Sequence, residues 1–443
     1  MKRKICLMVL TLCAALLLSG CAMRTVEEMY ALPRRSEEYN HLQSAIDAAM
    51  DGLSYSAPIS GENQQTVQSA DLDGDGVDEC LVFAAGSGER PLEVLIFTQD
   101  DNERYRLSEV IECNGTVFEQ VEYVNFDGKP GCELVLSRQV SENVLRRLSV
   151  YSFAGGSAEQ LLVVGCSKFV TSDLDTNGLS EVLVLRPSES EEPGGMAVLY
   201  SYNSKEDQVQ RSVETRLSES PANIRRMVSG RLQDNTPAVY VTSSMGDSAV
   251  VTDVFAFQNG DFTNVAYAGG VDTSIQTVHN FYVYSEDIDG DGVLEIPSLI
   301  TMKAMTEWKE GEQKFLLQWF SLDSKGRKID KFYTFHNYMN GWYLRMDENW
   351  AGRTSVVQSD GVYSFYVWDE TYTEASSLFN IYTFTGRNRD LEAQSDGRFP
   401  LYRAEGVAYG ASIAPGAEEF GITPDVLTNN FRLIRQDWRA GES

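Results

Sequence analysis

The sequence predicts a mainly β fold that repeats a unit of about 50 residues. Related segments, most of them acidic, recur at spacings of 54, 48, 58 and 56 residues and begin at Asp71, Asn125, Asp173, Arg231 and Asp287. Each is followed by an apolar run and then by an aromatic or β-branched run that ends in turn residues, as in a hairpin. Four short strands per unit are typical of a β-propeller, here with about five recognisable four-stranded blades.

Two strands can be placed in each unit from the apolar runs. The first strands are expected at 80–85, 133–138, 181–187, 238–244 and 295–302. The second strands are expected at 92–99, 147–156, 196–203, 252–261 and 314–326. These units define a propeller over residues 58–336.

A helix is expected before the repeats. Ser36 is a suitable N-cap, and apolar residues follow at spacings of three or four: Tyr39, Leu42, Ile46, Met50 and Leu53. We expect this helix to pack its apolar stripe on the β-structure.

Beyond residue 336 the repeat is no longer visible. Strand-like runs follow, and the chain closes with a predicted helix capped by Thr423, whose apolar face comprises Leu427, Phe431, Ile434 and Trp438. Residues 337–443 are therefore expected to form a small α+β domain. Two further divergent blades are the alternative, because the region is about two units long.

The first 20 residues have the pattern of an export signal. A basic start, Lys2 to Lys4, precedes the uncharged apolar run Ile5–Leu18 and the sequence LSGC. This ending resembles the lipobox of bacterial lipoproteins, which implies acylation of Cys21 and an anchored protein on the outer face of the plasma membrane. Residues 21–57 would then be a lipidated tether and the N-terminal helix. An ordinary signal peptide or an uncleaved anchor is the alternative.

Composition limits the classes of partner. The net charge of −28 argues against nucleic acid and against docking on anionic lipid through the protein surface. Aromatic residues make up 11% of the chain, enough for a large core. Outside the signal segment and Cys21, four cysteines remain, and an exported setting allows either disulfides or buried thiols: Cys80, Cys113, Cys132 and Cys166.

Three of the acidic segments have the ligand spacing of a metal loop. Carboxylate or amide side chains occupy positions one, three, five and nine, and position seven offers a backbone carbonyl. These residues are Asp71, Asp73, Asp75, Val77 and Glu79; Asp173, Asp175, Asn177, Leu179 and Glu181; and Asp287, Asp289, Asp291, Val293 and Glu295. Calcium prefers six to eight oxygen ligands of this kind, and magnesium is less suited to such loops.

An EF-hand requires a glutamate at position twelve and an exiting helix, whereas these loops have Val82, Val184 or Ser298 there and lead into a strand. The pattern resembles the calcium loop of FG-GAP and VCBS-type propeller repeats, over residues 66–336. That resemblance implies calcium between the first two strands of a blade. The second loop departs from it with Lys129 at position five, whose ammonium can replace the ion, and the fourth loop lacks acidic ligands.

Signals of catalysis are weak. The three histidines, His41, His279 and His336, have no metal-binding spacing, and His336 is expected to be a packed or surface residue. Asp347, Glu348 and Trp350 are expected in a turn rather than in a pocket, and Trp308 and Trp368 are expected in the core rather than in a sugar site. We therefore predict a non-enzymatic surface scaffold that binds a protein or glycan. The alternative is an exported hydrolase or lyase acting on wall polysaccharide, with its site in the C-terminal region.

Overall fold

The computed structural model describes residues 37–100, 102, 104–141, 145–188, 194–246, 248–267, 274–280, 283–305 and 314–435. The expected signal segment, Cys21, Ser36, Trp308 and Trp438 lie outside them. The described chain is mainly β, with six antiparallel sheets. None of its helices has the length and apolar character needed to cross a membrane.

The chain divides into two compact units. Of the described residues, the first unit holds 37–57, 65–70 and 77–113, and the second holds 58–64, 71–76 and 114–435.

The first unit is one helix on one sheet. The helix is α1 (Glu37–Ala49), and the strands are β1 (Ser54–Tyr55), β2 (Val67–Ala70), β3 (Glu79–Ala85), β4 (Leu92–Gln99) and β5 (Tyr105–Cys113). The order is β1-β3-β4-β5, and β2 also pairs with β3. Ile46, with partly buried Leu42, packs on Val82 and Phe97, which confirms that part of the predicted apolar stripe. Tyr39 is 43% exposed instead, and Met50 and Leu53 pack on the same core from beyond the end of the helix.

The second unit begins with three four-stranded meanders. Their strands are β6 (Val117–Val124), β7 (Glu133–Gln139), β8 (Arg146–Ser152) and β9 (Glu159–Cys166); β10 (Lys168–Ser172), β11 (Glu181–Pro187), β12 (Gly195–Asn203) and β13 (Gln208–Leu217); and β14 (Ile224–Arg231), β15 (Pro237–Met245), β16 (Ala249–Gln258) and β17 (Asp261–Asn264). Each strand pairs with its neighbours in the sequence. The predicted strands therefore form the central pair of each sheet, and the loops at 125, 173 and 231 precede them.

Two five-stranded sheets complete the second unit. One contains β18 (Ile296–Thr301), β19 (Phe315–Leu322), β20 (Lys328–Asn337) and β21 (Trp342–Met346). The other contains β22 (Thr354–Ser359), β23 (Val362–Trp368), β24 (Ala375–Thr385), β25 (Phe399–Ala404) and β26 (Val407–Ile413), in the order β22-β23-β24-β26-β25. The short helices are α2 (Glu348–Ala351), α3 (Arg389–Glu392) and α4 (Pro424–Asn430), and β27 (Phe431–Leu433) pairs with β21. Short 3-10 turns occur at Pro221–Asn223, Ile275–Thr277 and Ala417–Phe420.

The hydrogen-bonded sheet continues across the expected domain boundary at residue 336. His336 pairs with Tyr343 and Asn337 with Trp342, so β21 extends the sheet of the fifth loop. One core cluster also joins residues on both sides of the boundary, including Leu316, Phe335 and Phe365. The described residues after 346 contain one complete sheet, whereas two further blades would require two.

The closing helix is shorter than predicted. Thr423 is its N-cap, since its hydroxyl oxygen accepts a hydrogen bond from the Val426 N–H at 3.2 Å. The helix ends at Asn430, and Phe431 opens β27 instead of extending the apolar helix face. The open edge of β21 explains the change, because pairing with residues 431–433 satisfies backbone groups at that edge, which a longer helix would leave unpaired.

Candidate metal centre

The third loop gathers three carboxylates in a turn built by backbone N–H groups. One ligand oxygen from each of Asp173, Asp175 and Glu181 lies within 4.8 Å of the other two. The N–H groups of Asn177 and Gly178 donate to the two oxygens of Asp173 at 3.1 and 3.0 Å. The Leu179 N–H donates to Asn177 Oδ1 at 2.7 Å, so the predicted carbonyl residue also belongs to this turn.

The fifth loop repeats this construction. Asp287, Asp289 and Asp291 each bring an oxygen within 4.8 Å of the other two. Gly290 and Gly292 donate their N–H groups to the two oxygens of Asp287 at 2.7 and 3.0 Å, and both glycines have positive φ. The Val293 N–H donates to Asp291 Oδ1 at 2.8 Å. Positions five and six donate to the first aspartate in both loops, whereas the clustered carboxylates are at positions one, three and nine in the third loop and at one, three and five in the fifth.

The glutamate at position nine is buried in every loop of the second unit that has one. Glu133, Glu181 and Glu295 are 1%, 1% and 0% exposed. In each, one oxygen accepts the N–H of position two: Phe126 at 2.6 Å, Leu174 at 2.8 Å and Ile288 at 3.2 Å. The remaining oxygen of Glu295 is buried without a hydrogen-bond partner among the described residues.

Burial and the neighbouring carboxylates raise the pKa values of these glutamates. Desolvation is the larger cause, and the aspartates of the same loop add to it. The pKa of Glu181 rises to about 7 and that of Glu295 to about 8. A divalent cation at the loop would remove this cost, since it supplies the charge that the clustered carboxylates lack.

The first loop builds the same turn in its first six residues. Asp71, Asp73 and Asp75 occupy positions one, three and five. The Gly74 and Gly76 N–H groups donate to the two oxygens of Asp71 at 2.7 and 3.0 Å, as their counterparts do in the fifth loop. Glu79 is buried and begins β3.

In the second loop the ammonium of Lys129 takes the place of a metal cation. Lys129 Nζ lies 3.6 Å from Asp127 Oδ2 and 3.1 Å from Asp207 Oδ1, and it donates to the Tyr202 hydroxyl at 3.2 Å. The hydrogen bonds to Tyr202 and Asp207 raise the pKa of Lys129. Ser152 donates to both Asp127 and Glu133. The expectation that Lys129 neutralises this loop is confirmed for Asp127.

In the fourth loop, the acidic residue Asp234 lies at position four, outside the ligand pattern. Its carboxylate accepts hydrogen bonds from the Ser324 N–H at 3.1 Å and the Ser324 hydroxyl at 2.6 Å. These hydrogen bonds lower the pKa of Asp234. The side chain thus joins the loop to the turn between β19 and β20.

One hydrogen bond recurs between successive loops. The carbonyl oxygen of position one accepts the N–H of position eight in the next loop: Asp71 from Cys132 at 3.1 Å, Asn125 from Ser180 at 2.7 Å, and Arg231 from Leu294 at 3.1 Å. At the first of these contacts the approach is close enough to require glycine, because a Cβ at Gly131 would lie 2.3 Å from the Leu72 oxygen. The loops of these three pairs are therefore adjacent in space as well as equivalent in sequence.

Two basic side chains at the fifth loop have no signal in the sequence around that loop. Lys331 Nζ lies 3.1 Å from Asp291 Oδ2 and 3.9 Å from Glu295 Oε1, and Arg345 Nη2 lies 3.9 Å from Asp289 Oδ2. Lys331 lies in β20 and Arg345 in β21, so the packing of these later strands against the loop places both side chains here. In the described residues, no ion pair involves the three carboxylates of the third loop.

A cavity of about 790 Å³ lies beside these two basic residues. Its lining includes Lys331, Arg345, Asp347, Glu348 and Trp350. Asp347 is the N-cap of α2 and accepts the Asn349 N–H at 2.8 Å, so the predicted turn is a short helix that also borders a pocket. Trp350 is 2% exposed and packs edge-on against Phe379.

The other residues considered for catalysis or sugar binding, His336 and Trp368, are packed against neighbouring side chains. His336 stacks on Tyr343, with ring centroids 5.0 Å apart, and burial lowers its pKa to about 3. Trp368 is 8% exposed and donates to the Ser355 hydroxyl at 2.7 Å.

The four cysteines are free thiols, so of the two states that the sequence allowed, disulfides and thiols, the structure has thiols. Burial raises the pKa of Cys80 to about 11 and that of Cys166 to about 12.

Comparisons with known proteins add little. No family model and no curated protein matches the chain. Among solved structures, a protein from Lactobacillus plantarum is similar at 9% identity, over 73% of this chain and 86% of that one, with a TM-score of 0.28. A rhamnogalacturonan lyase is similar at 11% identity, over 73% of this chain and 71% of that one, with a TM-score of 0.25. At these scores the likenesses support neither a fold assignment nor an activity.

Proposed function

We propose that this chain is a lipid-anchored, extracytoplasmic β-propeller whose blades are joined by calcium, and that it acts as a non-enzymatic scaffold for a protein or glycan at the bacterial cell surface. The blades are the successive antiparallel sheets, in line with FG-GAP and VCBS-type repeats. The calcium loops are those that begin at Asp71, Asp173 and Asp287. The anchor is lipid on Cys21.

The repeated loop construction carries this proposal. The first aspartate of each of the three loops accepts the N–H of the glycine at position six, and a buried glutamate follows in each. The hydrogen bond between successive loops supports a role for the ions in holding neighbouring sheets together. An ion bound only by the folded chain would stabilise that chain without taking part in a reaction.

Thermal unfolding in EGTA and in millimolar calcium tests the metal role. We expect calcium to stabilise the chain by about 1–3 kcal/mol per occupied loop, at concentrations ten to a hundred times Kd. Replacement of the aspartate at position one of the third loop, Asp173→Asn, should remove part of the calcium-dependent rise in the unfolding midpoint. The matched control Asp234→Asn, in the fourth loop, should leave that shift unchanged. An identical midpoint in EGTA and calcium contradicts the proposal.

Attachment to the membrane is tested separately. We expect the full chain to sediment with membranes and to partition into detergent, and the Cys21→Ala variant to lose both properties. Equal partitioning of the two forms would contradict the lipid anchor without affecting the calcium loops.

A second candidate function follows from the cavity beside Arg345. Asp347, Glu348 and Glu419 line it, and two carboxylates at one pocket are the groups that glycoside hydrolysis uses. The engagement of Asp347 in capping α2 favours a structural role instead. Release of reducing ends from wall polysaccharide by the wild-type chain, and its loss in Glu348→Gln, would favour the hydrolase. No release by the wild-type chain would favour the scaffold.

A further inference from the structure

The fifth loop and the neighbouring cavity share the same basic side chains. Lys331 and Arg345 contact carboxylates of the loop, at 3.1 Å to Asp291 and 3.9 Å to Asp289, and both also line the cavity of about 790 Å³. A smaller cavity of about 80 Å³ is lined by Asp289, Arg345 and Asn430, among others, and Arg345 and Asn430 also line the larger one. The loop and the cavity are thus adjacent through the Arg345 side chain.

A divalent cation at the fifth loop changes the surroundings of these basic groups. The cation would take the oxygens of Asp289, Asp291 and Glu295 that now face Lys331 and Arg345. Lys331 is only 15% exposed, so its ammonium is poorly solvated once the cation has taken the loop carboxylates. The nearby dication also repels it. An anion bound in the cavity would supply the negative charge that Lys331 has lost.

We propose that the cavity binds a carboxylate-bearing saccharide, and that calcium at the fifth loop promotes this binding by releasing Lys331 and Arg345 from the loop carboxylates. This inference rests on the proposed calcium site and names the class of glycan that the scaffold takes. It applies to the fifth loop and not to the third, because no ion pair involves the third-loop carboxylates in the described residues.

The lining of the cavity selects the chemistry of the ligand. The guanidinium of Arg345 offers the two parallel donors that match a carboxylate. Asp347, Glu348 and Glu419 disfavour a dianion such as a phosphate monoester. Asn349 and Asn430 supply amides for hydroxyl groups, and the partly buried Phe420 supplies apolar surface for a sugar ring.

Titrations of the full chain with glucuronate, glucose and glucose 6-phosphate, each in calcium and in EGTA, test the proposal by NMR. We expect glucuronate to bind in calcium and to bind about tenfold more weakly in EGTA, with neither glucose nor glucose 6-phosphate matching it. Equal glucuronate binding with and without calcium, or equal binding of glucose, overturns the proposal. Preferential binding of glucose 6-phosphate overturns the assignment of a carboxylate ligand.

Substitutions separate the two parts of the coupling. Lys331→Gln should weaken glucuronate binding about tenfold and raise the affinity of one calcium site, because a competing cation is removed. Arg345→Gln, at a more exposed side chain, should weaken glucuronate binding without loss of folding. The matched lysine control, Lys129→Gln in the second loop, should change neither. A Lys331→Gln variant with unchanged calcium affinities overturns the coupling.

The failure of this inference is distinguishable from failure of the proposed function. If calorimetry detects no calcium binding in the wild-type chain, the proposed function itself is wrong. If Asp173→Asn and Asp287→Asn each remove a calcium site while the glucuronate titrations are negative, only the inference is wrong.

Discussion

At the scale of single residues, charge balance distinguishes the loops from one another. The second loop has Lys129 at position five and a serine hydroxyl between its two buried acids. The third loop has an amide at position five, from Asn177, and a glutamate whose pKa is raised to about 7. The fifth loop receives Lys331 from another strand. The carboxylates of the second and fifth loops therefore face a lysine ammonium, whereas those of the third loop have no ion pair among the described residues.

Exchange of one residue should convert the second loop into a metal site. Lys129→Asp places a carboxylate where the third and fifth loops have Asn177 and Asp291, and it removes the ammonium beside Asp127. We expect calorimetry to detect one additional calcium ion per chain. In EGTA the variant should be less stable than the wild type, because the buried Asp127 then lacks a cation.

The contrasting substitution is Lys129→Gln, which removes the ammonium without adding a carboxylate. It should lower the unfolding midpoint equally in calcium and EGTA. A Lys129→Asp chain that binds no more calcium than the wild type would show that the loop geometry, and not its charge, excludes the ion.

At the scale of elements, the strands agreed with prediction and the last helix did not. The runs 92–99 and 181–187 coincide with β4 and β11 residue for residue. Continuous apolar sequence of that length is a local signal, so it can be read without tertiary information. Phe431, by contrast, fits a helical face and a strand equally well, and the partner strand β21 decided between them.

Phe431 should be essential to the closing strand. Its ring is 1% exposed and lies 5.4 Å from the Trp342 ring and 5.1 Å from the Tyr409 ring, centroid to centroid. We expect Phe431→Ala to lower the free energy of unfolding by about 3–5 kcal/mol, measured by urea denaturation. Arg432→Ala, at the exposed next residue, should change it by less than about 0.5 kcal/mol. Similar losses for both variants would contradict the pairing described for β27.

At the scale of the whole molecule, the C-terminal region does not separate from the repeats. β20 and β21 pair across residue 337, and one apolar cluster includes Met302 and Phe335 together with Phe365 and Phe379. Residues 337–435 also belong to the same compact unit as residues 114–336. The repeat can no longer be recognised there because the sequence similarity between units ends, although the hydrophobic core continues.

Truncation should reveal this shared core. A chain ending at residue 336 would expose Leu316 and Phe335 and leave β20 without its partner β21. We expect it to aggregate, or to elute as an expanded species without a cooperative unfolding transition, on size-exclusion chromatography and calorimetry. A monodisperse, cooperatively unfolding 37–336 fragment would support an independent C-terminal domain instead.

The sequence by itself determined the repeat, most strands, the N-terminal helix and the positions of the acidic side chains in the three loops. These features depend on short spacings along the chain, such as the alternation of ligands over nine residues. It could not determine the contacts of Lys331 and Arg345, the cavity beside them or the strand at Phe431–Leu433. Those depend on which distant strands pair, and hydrogen bonding between β20, β21 and β27 is decided by the packing of the whole core rather than by any local pattern.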